Sequence, residues 1–266
     1  MYNHTVENTL CLVIMKHKLI LFLLTILMTF SAFAGGKFYI ASSTTSTIEN
    51  VKNDKLVSEP LITKQTYDCE NNTYTIINTT NDSIIAFSTD VLVKLNDNSR
   101  LNIDSFEQSV SNINDLPDIA KYTTTNLNLS LFGSAQLNIK SKFTDESPFI
   151  VSTPMANILL NAGKFIIRSE EKSLLLIVIE GEATVLDSIS KHKQILKEKN
   201  MLVVVPAPKF QGRAGENIKK QNMFSVKPLD DVDNKELIAD FTSLNDIQSH
   251  IKFIVVKKDV IGVKID

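Results

Sequence analysis

Covalent catalysis needs a thiolate or an activated hydroxyl with a base beside it, and the chain offers two cysteines, Cys11 and Cys69. Asp68 and Glu70 flank Cys69, would raise its thiol pKa if close in space, and leave it without a local histidine. An inert thiol is expected. His192 lies between Lys191 and Lys193 in a polar stretch and reads as a surface residue, while His250 falls in the last turn of a helical pattern. Neither has a Cys/His ligand set at metal-binding spacing. The acid pairs Glu170-Glu171 and Asp230-Asp231 are sequence neighbours. Adjacent side chains on a strand point to opposite faces, so such pairs do not form an acid/base couple across a cleft. No Gly-x-Ser-x-Gly elbow, phosphate-binding loop, dinucleotide glycine pattern or zinc-protease spacing occurs. No catalytic residue, metal site or cofactor is therefore expected.

The elements that would have to carry any site read as strands. Short segments rich in β-branched and aromatic residues, Tyr74-Thr75-Ile76-Ile77, Ile84-Ile85-Ala86-Phe87 and Val91 to Leu95, alternate with polar turns such as Asn78 to Asp82 and Asn96 to Ser99. Asn78-Thr79-Thr80 and Asn71-Asn72-Thr73 read as turn geometry. Val91, Val93 and Leu95 share one face, and Leu101 and Ile103 repeat the period beyond the turn. Residues 106–125 are polar, with Pro117 among them, and read as an irregular excursion. Alternation resumes at Leu127, Leu129 and Leu131 and continues through Ala135, Leu137 and Ile139. Phe149, Val151, Ile158, Leu160, Phe165 and Ile167 are expected in the core, with Gly163 marking a bend or bulge. Leu174 to Ile179 is continuously apolar, the mark of a strand covered on both faces. Met201 to Val205 supplies another strand, stopped by Pro206 and Pro208.

At the N-terminus, Lys16 and Lys18 precede an apolar run from Leu19 to Phe30 and the small-residue site Ala32-Phe33-Ala34. That is the pattern of a secretory signal peptide cut before Gly35, with Met15 a second candidate start. The competing reading is a membrane anchor through residues 19–34, which is short for a span of about 20 residues. Export would leave Cys69 as the only cysteine, so the fold is expected to rest on its core and not on disulfides. The formal charge of -2 gives no basic surface for nucleic acid.

Near the C-terminus the period changes. Leu237, Ile238, Phe241, Leu244 and Ile247 line one side of a helix, with Asp233 and Glu236 as its capping box. Phe253 to Val256 and Val260 to Ile265 read as two strands. The expected organisation is residues 1–34 as extension and signal peptide, 35–64 as a polar arm in which Lys37 to Ile40 could start a strand, 65–208 as an all-β domain, 209–219 as a linker and 220–266 as a small α/β tail. The β domain is expected to be a twisted, mostly antiparallel sandwich or a solenoid-like stack.

The stretch from Phe149 to Ile167 resembles the most recognisable part of FecR-like domains, in which an F-x-V-x-T-P segment leads into a strand, a turn and a second strand with phenylalanine. Thr153 and Pro154 match the Thr-Pro pair, Ala156 the small residue after it, and Phe165 the later aromatic. Asn161, Ala162 and Gly163 stand where the family usually has Arg, Gly and Thr. Asp97 to Leu101 resembles the family's polar turn and leucine strand, and Val178 to Val185, with Gly181, its strand-glycine-strand element. The likeness covers about residues 84–206.

The resemblance implies a periplasmic or cell-surface β domain without enzymatic activity. Regulatory family members pass signals from an outer-membrane receptor to a sigma factor, and no cytoplasmic domain for that step is read in this sequence. The expectation is a free binding module for an envelope protein or cell-wall component, through a sheet edge or a loop-lined face. The alternative is a spacer without a discrete ligand; signalling and hydrolase roles rank below both.

Overall fold

Strands whose side chains alternate inward and outward, separated by polar turns, can close on themselves only as layers, and the computed structural model follows that rule. It describes residues 33–52, 55–70, 72–110, 122–144, 147–207, 222–257 and 260–265. The expected signal peptide and the anchor through residues 19–34 lie almost wholly outside the described residues, as does the linker at 209–219. Among the described residues no helix is long and apolar enough to cross a membrane.

The strands in chain order are β1 (Phe33–Gly35), β2 (Lys37–Ser42), β3 (Ser46–Lys52), β4 (Lys55–Pro60), β5 (Thr66–Asp68), β6 (Tyr74–Asn78), β7 (Ser83–Phe87), β8 (Val91–Leu95) and β9 (Ser99–Val110). They continue as β10 (Tyr122–Ile139), β11 (Phe149–Ser152), β12 (Ala156–Glu170), β13 (Ser173–Asp187), β14 (Lys193–Lys197), β15 (Asn200–Pro206) and β16 (Asn222–Pro228). Helix α1 (Asp231–His250) and the hairpin β17 (Ile251–Lys257) and β18 (Val260–Ile265) complete the chain.

Three long strands, β10, β12 and β13, make two layers out of one continuous sheet. Each pairs with different neighbours along its length. In one layer the second half of β12 pairs with β10 and β13, β10 with β8, and β13 with β15, all antiparallel. From β8 that layer runs on through β7 and β2 to β5, and from β15 to β16, again antiparallel. In the other layer the first half of β12 pairs with β11 and β13, and β13 with β14, antiparallel in each case. There β10 pairs in parallel with β11 and antiparallel with β9, which leads through β6 to β3 and β4 by antiparallel steps. The expected sandwich-like, mostly antiparallel β fold is found.

The layers enclose one core that includes all six expected residues, Phe149, Val151, Ile158, Leu160, Phe165 and Ile167. In the first layer the outward face is apolar too. Leu174, Leu176 and Val178 point into the sandwich, whereas Ile177 and Ile179 join Ala86, Leu92 and Ile166 in a second cluster under Phe241 and Leu244 of α1. The continuous run at 174–179 is thus covered on both sides, as expected. A polar latch accompanies the packing: Asn138 Nδ2 of β10 donates to Asn245 Oδ1 (2.8 Å) and Gln248 Oε1 (2.7 Å), and Gln248 Nε2 donates to Asp90 O (2.8 Å).

Several expectations need correction. Residues 35–64, read as a polar arm, form β2, β3 and β4. Phe38 and Ile40 are fully buried, and the Phe38 ring stacks on Tyr67 at 5.0 Å and meets Tyr74 edge-on at 5.2 Å. Long-range pairing of β3 with β6 overrides the locally polar composition that follows Ser42. Of the expected excursion at 106–125, residues 111–121 lie outside the described residues, and the rest is strand. Phe106 to Val110 extends β9, and Tyr122 to Thr125 opens β10 opposite it. Helix α1 begins at Asp231, two residues ahead of the expected cap Asp233, and Ile238 is 40% exposed. Gln248 takes a buried place on the covered side, because Asn138 below supplies its partner.

Candidate functional site

The residues singled out for the family-like motif prove to build the fold. Thr153 closes the turn between β11 and β12: its Oγ1 donates to Ala156 O (2.8 Å) and accepts from Ala156 N (3.0 Å). Pro154 follows in that turn, where its fixed φ is favourable, and Ala156 is fully buried. Phe165 is fully buried in the sandwich core. Gly163 and Gly181 pair across β12 and β13 where both strands pass from one layer to the other.

A buried carboxylate ties this turn to the rest of the fold. Asp187, at the end of β13, accepts from Asn222 Nδ2 (2.6 Å), Ser190 N (3.0 Å), Ile189 N (3.3 Å) and Ser190 Oγ. Burial pushes the Asp187 carboxyl up, but these donors outweigh it and hold its pKa below the usual aspartate value. Asn222 and Ser188 also donate to Met155 O. The cluster is internally satisfied, which suits a structural clasp.

The chemistry-bearing candidates are scattered. Cys69 is buried, and burial first, then Asp68, pushes its thiol up to about 12, so the thiolate is negligible near neutral pH. His192 is exposed at the turn after β13, edge-on to Phe224 at 5.3 Å, and His250 is exposed at the end of α1. Glu170 and Glu171 are exposed at the β12–β13 turn; Asp230 precedes α1 and Asp231 opens it. Among the described residues no group of three His, Cys, Asp or Glu side chains is placed to hold a metal ion.

The two layers differ in their outer faces. One is sealed by α1. The other presents a row in register, Thr75, Asn102, Ser130, Ser152 and Asn157 from β6, β9, β10, β11 and β12. Beside this row a groove of about 270 Å³ is lined by Arg100, Asn102, Ser130, Phe132, Ser152 and the Thr153-Pro154 turn. Phe132 is 49% exposed and stands opposite Arg100 in the β9–β10 register. Thr75 Oγ1 donates to Asn102 Oδ1 (3.0 Å), fixing that carboxamide with its Nδ2 unclaimed among the described residues, while Ser130 Oγ donates to Asp104. Arg100 is exposed and has no ion-pair partner among the described residues. The arrangement offers an aromatic face, a guanidinium fork and a carboxamide.

Residue types and spacing singled out none of these groove residues for binding. The signal was nevertheless present, since Phe132 is an aromatic in the outward series Asn128, Ser130, Phe132, where polar residues precede it.

Residues 77–184 match the family described as FecR protein. That range is a FecR-like domain region; it runs from the end of β6 through most of β13 and stops short of β14 and β15, which the motif resemblance at 84–206 takes in. Two crystal structures of a candidate anti-sigma factor from Parabacteroides distasonis ATCC 8503 show distant likeness. One has 13% identity and a TM-score of 0.41, over 73% of this chain and 99% of the other. The second has 11% identity and a TM-score of 0.37, over 71% and 97%. No curated protein matches the chain.

Proposed function

We propose that this protein is an exported, non-catalytic binding module of the bacterial envelope, whose FecR-like region presents the open sheet face to a protein or cell-wall partner. One observation carries the reading: the apolar outer face is covered by Phe241 and Leu244 of α1, whereas among the described residues no element covers the polar outer face, which holds Arg100 and Phe132 in a groove. The sheet edges are less suited to a partner strand. Lys55 and Pro60 on β4, Lys193 and Lys197 on β14, and Lys227 and Pro228 on β16 are residues that deter edge pairing. A face-on partner is the better fit.

The export part rests on the signal-like N-terminus, and mass spectrometry of the protein recovered from the producing cell tests it. A mature N-terminus at Gly35 supports export with cleavage; retention of residues 1–34 refutes cleavage. Binding is tested by photo-crosslinking in intact cells from a probe at Ser130, compared with one at Ser225 on β16. A discrete adduct from Ser130 that Arg100→Gln abolishes supports the module. Absence of any adduct from either site favours a spacer role.

A further inference from the structure

We propose that the groove around Phe132 binds an acidic oligosaccharide, with a sugar ring laid on the Phe132 face and its carboxylate held by Arg100. This rests on the binding-module reading and names the class of ligand. A single exposed apolar side chain is ordinary on a protein surface. Phe132 differs because it lines two adjoining hollows. One is the groove with Arg100, Asn102, Ser130 and Ser152; the other, of about 530 Å³, is bordered by Asn98, Gly133, Ser169, Glu170, Glu171 and Lys172. The ring is therefore the ridge between two pockets rich in hydrogen-bonding groups.

The chemistry of those groups selects the ligand. Arg100 presents a planar fork suited to a carboxylate, and among the described residues nothing neutralises it. Asn102 is oriented by Thr75 with its Nδ2 free to donate among the described residues, and Ser130, whose hydroxyl donates to Asp104, retains lone pairs to accept. Such a mixture of donors and acceptors suits vicinal hydroxyls. A peptide would fare worse, because the backbone groups beneath the groove are already committed to the β9–β10–β11 ladders and main-chain pairing needs a free edge. Charge sets the direction along the ridge. Glu170 and Glu171 border the far hollow, so an acidic sugar belongs on the Arg100 side and a neutral one on the other.

The test is calorimetric titration of the full chain with a hexasaccharide of alternating glucuronate and N-acetylglucosamine, its carboxyl-reduced counterpart, and an oligo-glutamate peptide. Saturable binding of the acidic sugar is expected, at least about tenfold weaker for the reduced one, with no saturable binding of the peptide. Phe132→Ala and Arg100→Gln should each weaken binding at least about tenfold. Phe132→Tyr, which keeps a flat ring, should retain it, and Ile195→Ala, on the same face outside the groove, should change nothing. Circular dichroism verifies that each variant is folded. Equal or tighter binding of the peptide overturns the proposal in favour of an acidic protein partner. No saturable binding of the sugar, or indifference to Phe132 and Arg100, overturns it too; a persistent Arg100-dependent adduct in cells would then leave the binding-module reading standing.

Discussion

Gly163 on β12 lies directly opposite Gly181 on β13, and each has a positive φ, 155° and 89° respectively. A Cβ on Gly163 would come within 2.2 Å of Glu180 O, and one on Gly181 within 2.3 Å of Ala162 O. The pair sits at register shifts that change which residues face inward. On β12 the inward set passes from Ile158 and Leu160 to Phe165 and Ile167; on β13 it passes from Leu174, Leu176 and Val178 to Ala183 and Val185. Two matched irregularities let both strands cross between layers while keeping apolar side chains in one core.

Either Gly163→Ala or Gly181→Ala should therefore destabilise the fold by at least about 2 kcal/mol, since backbone carbonyls and not flexible side chains occupy the space. Urea unfolding followed by circular dichroism measures this. A loss within about 0.5 kcal/mol for both would mean the crossing can be made without glycine.

Phe165 and Phe132 are the same residue type in opposite settings. Phe165→Ala should cost about 3–5 kcal/mol, because the ring is fully buried. Phe132→Ala should stay within about 0.5 kcal/mol, being half exposed. Comparable losses at the two positions would contradict the assignment of Phe132 to a surface groove.

Asp187 sets an acid limit. Its folded pKa is depressed, so it contributes stability at pH values above the unfolded aspartate pKa of about 3.9. That contribution shrinks as pH falls below this value and is lost as pH drops through the lower folded pKa. In Asp187→Asn the difference in unfolding free energy from wild type should narrow across that acid window. A difference independent of pH would exclude ionised Asp187 as the clasp.

Cys69 should be silent to an aromatic disulfide reagent at pH 7.5 in the folded protein and react fully in denaturant, given burial and a thiol raised to about 12. Rapid stoichiometric reaction without denaturant would place the thiol at the surface.

Much of the fold was legible because side-chain alternation reports burial directly. Leu174 to Ile179 announced two covered faces, and Gly163 announced an irregular bend. The strand start at Lys37 to Ile40 was legible, but the burial of Phe38 was not, since β7, Tyr67 and Tyr74, brought in by distant pairing, bury it. The ends of β9 and β10 were missed for the same reason, each being stabilised by the other. The groove was least legible of all. Arg100, Phe132 and Thr153 come from different segments, and only strand register places them side by side.

Because α1 follows in sequence all the strands it covers, the sandwich and its cover are separable by a single truncation. Leu92, Ile166, Ile177 and Ile179 depend on Phe241 and Leu244. A chain halted ahead of Asp231 would carry a greasy, water-facing sheet prone to sticking to its own kind.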